Sequence, residues 1–155
     1  MVRFKNRYFL VGFRFASQEE SARALKILTH KSLVDLIRDA ILSLHGQYGV
    51  SCVQKSLSVK YINVDTSVAI IRCPRDYHRQ VWAALTTITN IQQCPCTAQV
   101  LHLGGTIQSC QKFLIKYNTQ KLRGMLRESD SLAERKRMGE KIKAVLQRDS
   151  VALNV

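Results

Sequence analysis

The chain has 155 residues, 46% of them hydrophobic, with 24 lysines and arginines against 11 acids and a formal net charge of +13. That hydrophobic share is ordinary for a globular protein, so wholesale disorder is excluded, and the length suits a single domain with a real core. No apolar run is as long as a membrane span and the N-terminus lacks the apolar stretch of a signal peptide, so an intracellular, soluble protein is expected.

A first strand is expected over residues 3–15. Phe9, Val11, Phe13 and Phe15 are apolar at alternate positions, and Arg3, Lys5 and Arg7 continue the same parity. One straight strand cannot bury both sets, so the basic residues are expected to extend beyond the core as an arm. Residues 17–30 read either as a short separate helix or as an extension of the next one. Ser32 with Asp35 resembles a capping box, while Leu33, Leu36, Ile37, Ala40, Ile41 and Leu44 form a helical stripe that Gly46 should stop. Strands follow over 51–63 and 67–73, joined by a tight turn at 64–66. Pro74 stands just before a second helix, whose period runs through Tyr77, Val81, Ala84, Leu85 and Ile88. A last strand is expected over 97–103 and a long third helix over 106–127. Ser131 and Glu134 then form a capping box for a final helix carrying Met138, Ile142, Val145 and Leu146 on one side. Periodicity supports an α+β fold in one domain over 1–155, with 128–155 as a basic C-terminal helical extension. The order β-α-β-β-α-β is also the ferredoxin-like plan.

The positive charge is concentrated at the two ends. Residues 1–15 carry Arg3, Lys5, Arg7 and Arg14 without an acid, and residues 106–155 carry eleven lysines and arginines against five acids. Such clustering is the electrostatic footprint of a polyanionic partner, with nucleic acid leading and a membrane surface disfavoured. The segment from Leu101 to Asn118 carries the sharpest signal. Gly104 and Gly105 follow an apolar strand, permit unusual backbone conformations and let the backbone come close to whatever lies outside, and Thr106 is a good N-cap beside free helix N–H groups able to meet a phosphate. Behind this mouth Lys112, Lys116, Arg123 and Arg127 fall on one side of the helix, with Ile107, Cys110, Leu114, Tyr117 and Met125 on the other. Arg135, Lys136, Arg137, Lys141 and Lys143 read equally as RNA contacts, an import signal or a solvated face.

Other chemistry finds little support. The strand over 67–72 holds no aromatic residue, and aromatics make up only 7% of the chain, so base stacking of the RNA-recognition type is not the main source of affinity. Phosphate contacts with a steep salt dependence are expected instead, with Tyr8 the one candidate for stacking in the arm. Asp35 and Asp39 lie one helical turn apart without a third acid or histidine, His45 reads as a helix cap and His102 as a strand residue. Five cysteines, with Cys94 and Cys96 the one close pair, fit neither a disulfide framework nor a zinc site. Trp82 reads either as core or as interface.

Four ordered blocks add a resemblance. They are Met1-Val2-Arg3-Phe4-Lys5-Asn6-Arg7-Tyr8; Leu33-Val34-Asp35-Leu36-Ile37-Arg38-Asp39 running to His45-Gly46-Gln47-Tyr48-Gly49; Tyr61-Ile62-Asn63 continued by Arg72-Cys73 and Val81-Trp82-Ala83-Ala84-Leu85; and the segment from Leu101 to Asn118. Together they resemble the family of processing-of-precursor subunit five, shared by ribonuclease P and ribonuclease MRP. Where that family tends to have Thr-Gly after the Tyr-x-Asn block, this chain has Thr66-Ser67, so a difference in that turn is expected.

The resemblance implies an RNA-recognition-like, ferredoxin-like sandwich with a four-stranded antiparallel sheet and extra C-terminal helices. It also implies a non-catalytic subunit that stabilises the catalytic RNA for removal of the 5′ leader of precursor tRNA, and for pre-rRNA processing in ribonuclease MRP. The implied partners are that RNA, precursor tRNA, a TIM-barrel-like ribonuclease P subunit and other subunits, in the nucleus and nucleolus. Magnesium would belong to the RNA, with no cofactor on this chain. Two alternatives stay open on sequence: a stand-alone RNA chaperone or ribosome-assembly protein, and a small acylphosphatase-like enzyme using residues such as Arg14 and Asn63.

Overall fold

The structure, a computed structural model, describes residues 5–64 and 66–128 together with 140, 144 and 147, with 121–128 as backbone. The elements in chain order are β1 (Asn6–Phe15), α1 (Gln18–Ile27), α2 (His30–Val53), β2 (Ser58–Asn63), β3 (Val68–Pro74), α3 (His78–Thr86), β4 (Asn90–Ile91), β5 (Cys94–Gly104) and α4 (Ile107–Glu128). They fall into two compact units, Met1–Thr106 and Ile107–Val155. Arg3 and the helix expected from Ser131 lie outside the described residues, as does most of the 128–155 extension.

The first unit is built on a sheet of order β2-β3-β1-β5-β4 in which every neighbouring pair is antiparallel. Without β4 this is the ferredoxin-like arrangement, with β1 and β3 at the centre. The expected count of four strands is corrected to five because Asn90–Ile91 folds back on the start of β5. Gln92 (φ 50°) and Gln93 (φ 64°) form the connection, both left-handed as a two-residue hairpin turn of the I′ type requires. A Gln-Gln pair carries none of the Asn-Gly signal by which such turns are read.

The central strands are apolar on both faces. Phe9, Val11 and Phe13 of β1 join Ala69, Ile71 and Cys73 of β3 in the main core, and Leu10 and Ile70 on the opposite face are also buried. Helices α2 and α3 cover the main face with Leu33, Ile37, Ile41, Val53, Val81, Ala84 and Leu85. Each such side chain taken from water contributes about 1.5–3 kcal/mol. Trp82 packs its ring edge-on against Phe9 at 5.9 Å and 84° and stays 41% exposed.

Several boundaries differ from expectation for local reasons. Residues 17–30 hold a separate helix, α1. Helix α2 opens three residues earlier than Ser32, capped by Thr29, with Ser32 in the reciprocal role of the capping box instead of Asp35. Asp35 pairs with Arg38 at 3.1 Å. Gly46 does leave helical geometry (φ 64°, ψ −167°), but it breaks the helix without ending it, and helix resumes to Val53. The strand expected from residue 51 therefore begins only at Ser58, because buried Gly49 and Val53 use a helical spacing. At the other end of β2, Asn63 accepts a hydrogen bond from the Thr66 N–H and donates to the Tyr61 hydroxyl. This engagement within its own hairpin leaves the acylphosphatase reading without a free asparagine. Ser67, standing where the family has glycine, adopts φ 56°, so the left-handed backbone is present with a serine in it.

One irregularity controls the site. Between Leu10 and Val11 the register of β5 shifts, from Leu10↔His102 to Val11↔Val100, leaving Leu101 as the extra residue of a bulge. Before the bulge Cys96, Ala98 and Val100 share the core side; after it Leu103 and Gly105 do. Leu101 itself packs over Gly12, where an added Cβ would lie 3.1 Å from its Cδ1.

Candidate nucleic-acid interface

Towards the N-terminal end of β1 the main face of the sheet turns from apolar to cationic. Arg7 follows the parity of Phe9 and pairs with Cys73, and one rung beyond the Tyr8↔Gly104 pair it meets Gly105. A Cβ on Gly105 would lie 2.9 Å from Nη1 of Arg7, so the missing side chain is the space that the guanidinium occupies. Of the two roles expected of the glycine pair, close approach is seen at Gly105 and the unusual backbone conformation is not. Gly46 is the described glycine with positive φ, so Gly105 is needed for close approach instead of for an unusual backbone conformation, and Gly104 is simply the buried last residue of β5.

The expected basic arm is corrected as well. Arg7 is a half-buried member of β1, and the Arg75 N–H donates to the Lys5 carbonyl at 2.9 Å, which extends the β1–β3 pairing and sets Lys5 opposite Arg75. The parity conflict resolves because Arg7 stands where the apolar cover of the helices stops. Tyr8 is half-buried and alternates to the other side of the sheet, between Arg72 and Gly104.

Arg7, Arg75, Asp76, His78, Arg79, Leu103 and Gly105 line one open cleft of about 730 Å³. Arg75, Asp76 and Arg79 are exposed and His78 is half-buried, its Nδ1 2.7 Å from the Arg75 carbonyl. Among the described residues none of the three arginines makes an ion pair, Asp76 notwithstanding. The start of α3 adds to the imbalance, since its first turn holds Arg79 and no acid. Cations are disfavoured at the positive end of a helix dipole, so Arg79 adds to a net positive lining in which Asp76 is the one carboxylate. Paired with Arg7 across the sheet, the Cys73 thiol is pushed up to about 12 by burial, with the Arg7 charge opposing the shift. Such a thiol stays neutral and inert.

The second unit carries the other predicted residues. Helix α4 buries Cys110, Leu114 and Asn118, four residues apart, and exposes Lys112 and Lys116. Arg123 and Arg127 belong to the part of α4 whose side chains lie outside the described residues. Thr106 is exposed and directly precedes the helix. Of the residues singled out from sequence, the structure thus brings Arg7 and Gly105 into one cleft. It adds Arg75, His78 and Arg79, which sequence reasoning passed over. Their signal was Arg75-Asp76-Tyr77-His78-Arg79, a cluster at the head of a helix with two arginines against one acid and no acid in the first helical turn.

Known proteins share this sequence and fold. The mouse protein named ribonuclease P/MRP protein subunit POP5 is 39% identical over 139 residues, covering 87% of this chain and 80% of its own length. The human protein of that name is 36% identical over 139 residues, covering 87% and 83%. A chain in the cryo-EM structure of yeast ribonuclease MRP superposes with a TM-score of 0.51 at 12% identity, covering 79% of this chain and 98% of that one, which shows a common fold. Residues 7–115, from the clefted end of β1 into α4, match the Rpp14/Pop5 family, and to that family this chain belongs.

Proposed function

We propose that this protein is an accessory, non-catalytic subunit of ribonuclease P and ribonuclease MRP that binds and stabilises their catalytic RNA. Its kinship with proteins named as subunits of those two enzymes supports the assembly, and the cleft of three arginines that make no ion pair among the described residues is the observation that carries the RNA-binding role. A folded RNA brings phosphates close together, and the repulsion among them opposes compaction. Arginines held on a sheet neutralise phosphates at fixed points and release condensed counterions as they do so. β3 holds no aromatic residue, so these contacts position the RNA without reading its bases.

In this reading the RNA carries the hydrolysis, with magnesium on the RNA, and the reaction supported is removal of the 5′ leader of precursor tRNA together with pre-rRNA processing in ribonuclease MRP. Other subunits, a TIM-barrel-like ribonuclease P protein among them, complete the particle in the nucleus and nucleolus. The test is to purify a tagged copy from native extract, sequence the RNA bound to it, and assay leader removal before and after nuclease digestion. One dominant structured RNA, with cleavage lost on digestion, is the expected result. A heterogeneous RNA mixture without cleavage would make the protein a general RNA chaperone, and cleavage surviving digestion would make it an enzyme; either result overturns the proposal.

A further inference from the structure

The cleft has a more specific shape than a basic surface requires. We propose that it is a seat for a single unpaired nucleotide of RNA, its phosphate held by the Arg7 guanidinium between Arg75 and Arg79 and its ribose or base resting on Leu103 and Gly105. The inference rests on the RNA-binding reading above and narrows it to one kind of contact.

Four observations converge. Arg7 stands near the end of a central strand, half-buried between Cys73 and Gly105, so the sheet fixes where its side chain leaves the backbone and Gly105 leaves room for the guanidinium. A guanidinium at that point can offer two parallel N–H donors to one phosphate. The charges are uncompensated, since none of the three arginines makes an ion pair among the described residues and the first turn of α3 contains no acid. The volume, about 730 Å³, lies in the range of sites for small molecules and has room for one nucleotide. Finally, the cleft has an apolar side: Leu103 packs on the core, and Gly105 presents bare backbone where a side chain would fill the space. A carboxylate on an acidic peptide would satisfy the arginines, but it would leave the apolar side empty, and the chain's +13 charge suits a polymer with a charge on every unit.

The test uses the full chain, a short fluorescein-labelled uridine oligonucleotide and an RNA duplex of equal length, with anisotropy followed across a salt series. Arg7→Gln should weaken binding of the single strand about tenfold or more and lower the magnitude of its salt slope by about one, as loss of a charge-assisted phosphate contact predicts. Arg7→Lys should restore the slope but only part of the affinity, because the charge returns without the fork. Gly105→Ala should also weaken single-strand binding, while circular dichroism and thermal midpoint stay at the wild-type values, since the new methyl displaces only the flexible tip of Arg7. Duplex binding should change little in all three. Wild-type single-strand affinity and slope in folded Arg7→Gln overturn the proposal, as does an equal loss for the single strand and the duplex, which would mean generic charge. Loss of binding to a polyglutamate peptide with oligonucleotide binding intact would assign the cleft to a protein partner and likewise overturn it. Failure here leaves the subunit reading standing if the wild-type protein still purifies with a dominant RNA. If it does not, but the variants behave as expected, the nucleotide seat stands and the subunit reading falls.

Discussion

Gly46 offers a test in which backbone conformation can be separated from packing. It lies at φ 64° and ψ −167° between the two helical runs of α2, and a Cβ built there meets nothing within 4 Å. That corner of backbone space is essentially closed to L residues, at about 1–3 kcal/mol for a residue forced into it. Gly46→Ala should therefore cost about 2 kcal/mol with no steric clash, a fall of about 4–8 °C in the thermal midpoint of a chain this long. Replacing Gly46 by D-alanine, through semisynthesis, supplies the mirror test. For a D residue the same angles are an ordinary extended conformation, so only the loss of unfolded-state freedom remains, and stability should rise by about 0.4–1 kcal/mol. Urea denaturation of the three proteins measures both numbers. If L-alanine proves neutral, or D-alanine costs as much as L-alanine, the break in α2 does not depend on the handedness of this residue and the reasoning is refuted.

Three further expectations follow from the same kind of geometry. Ser67→Gly removes a left-handed L residue worth about 1–2 kcal/mol but adds unfolded-state freedom worth about 0.4–1 kcal/mol, so a net gain of about 0.5–1 kcal/mol should appear as a higher urea midpoint. Replacing Gln92-Gln93 by Asn-Gly should stabilise the β4–β5 hairpin for the same reason, since both glutamines are exposed at positive φ; an unchanged midpoint would deny that the turn is strained. Burial pushes the Cys73 thiol up to about 12 and the Cys96 thiol up to about 11, against an ordinary value of 9.0. The folded state holds these protons longer than the unfolded chain, so their stabilising effect is complete below about pH 9 and is lost as pH rises towards 11–12. In native protein at pH 8 iodoacetamide should modify the half-buried Cys52 and Cys94 well before Cys73 and Cys96, and equal labelling of all four would contradict that burial.

On the proposed reading, the cleft would let this chain bind RNA on a ferredoxin-like sheet that lacks the aromatic signature of RNA-recognition domains. Where those domains read bases on the open face of the sheet, this chain places its arginines at the end of the helix-covered face, where β1, β5 and the start of α3 meet. On that reading affinity would come from the cleft's charge, and recognition of a particular RNA would be left to its shape and to the other subunits of the particle.

The sequence by itself determined what repeats locally. The stripe of Leu33, Ile37 and Ile41, the set Val81, Ala84 and Leu85, and the alternation of Phe9, Val11 and Phe13 all appear in the core, because burial of one face imposes a period that can be read without the partner face. The exposure of Lys112 and Lys116 opposite Cys110 and Leu114 was legible for the same reason. The motif blocks already carried the family. Only the tertiary structure decided which cations meet. Arg7, Arg79 and Gly105 are far apart in the chain, and they converge through strand register and through a bulge at Leu101 that shifts β5 by one residue. A one-residue shift turns every later side chain to the opposite face, so strict alternation along β5 points Gly105 away from the site it helps to build. Period says which residues share a face, whereas register, a pairing between distant segments, decides what that face will meet.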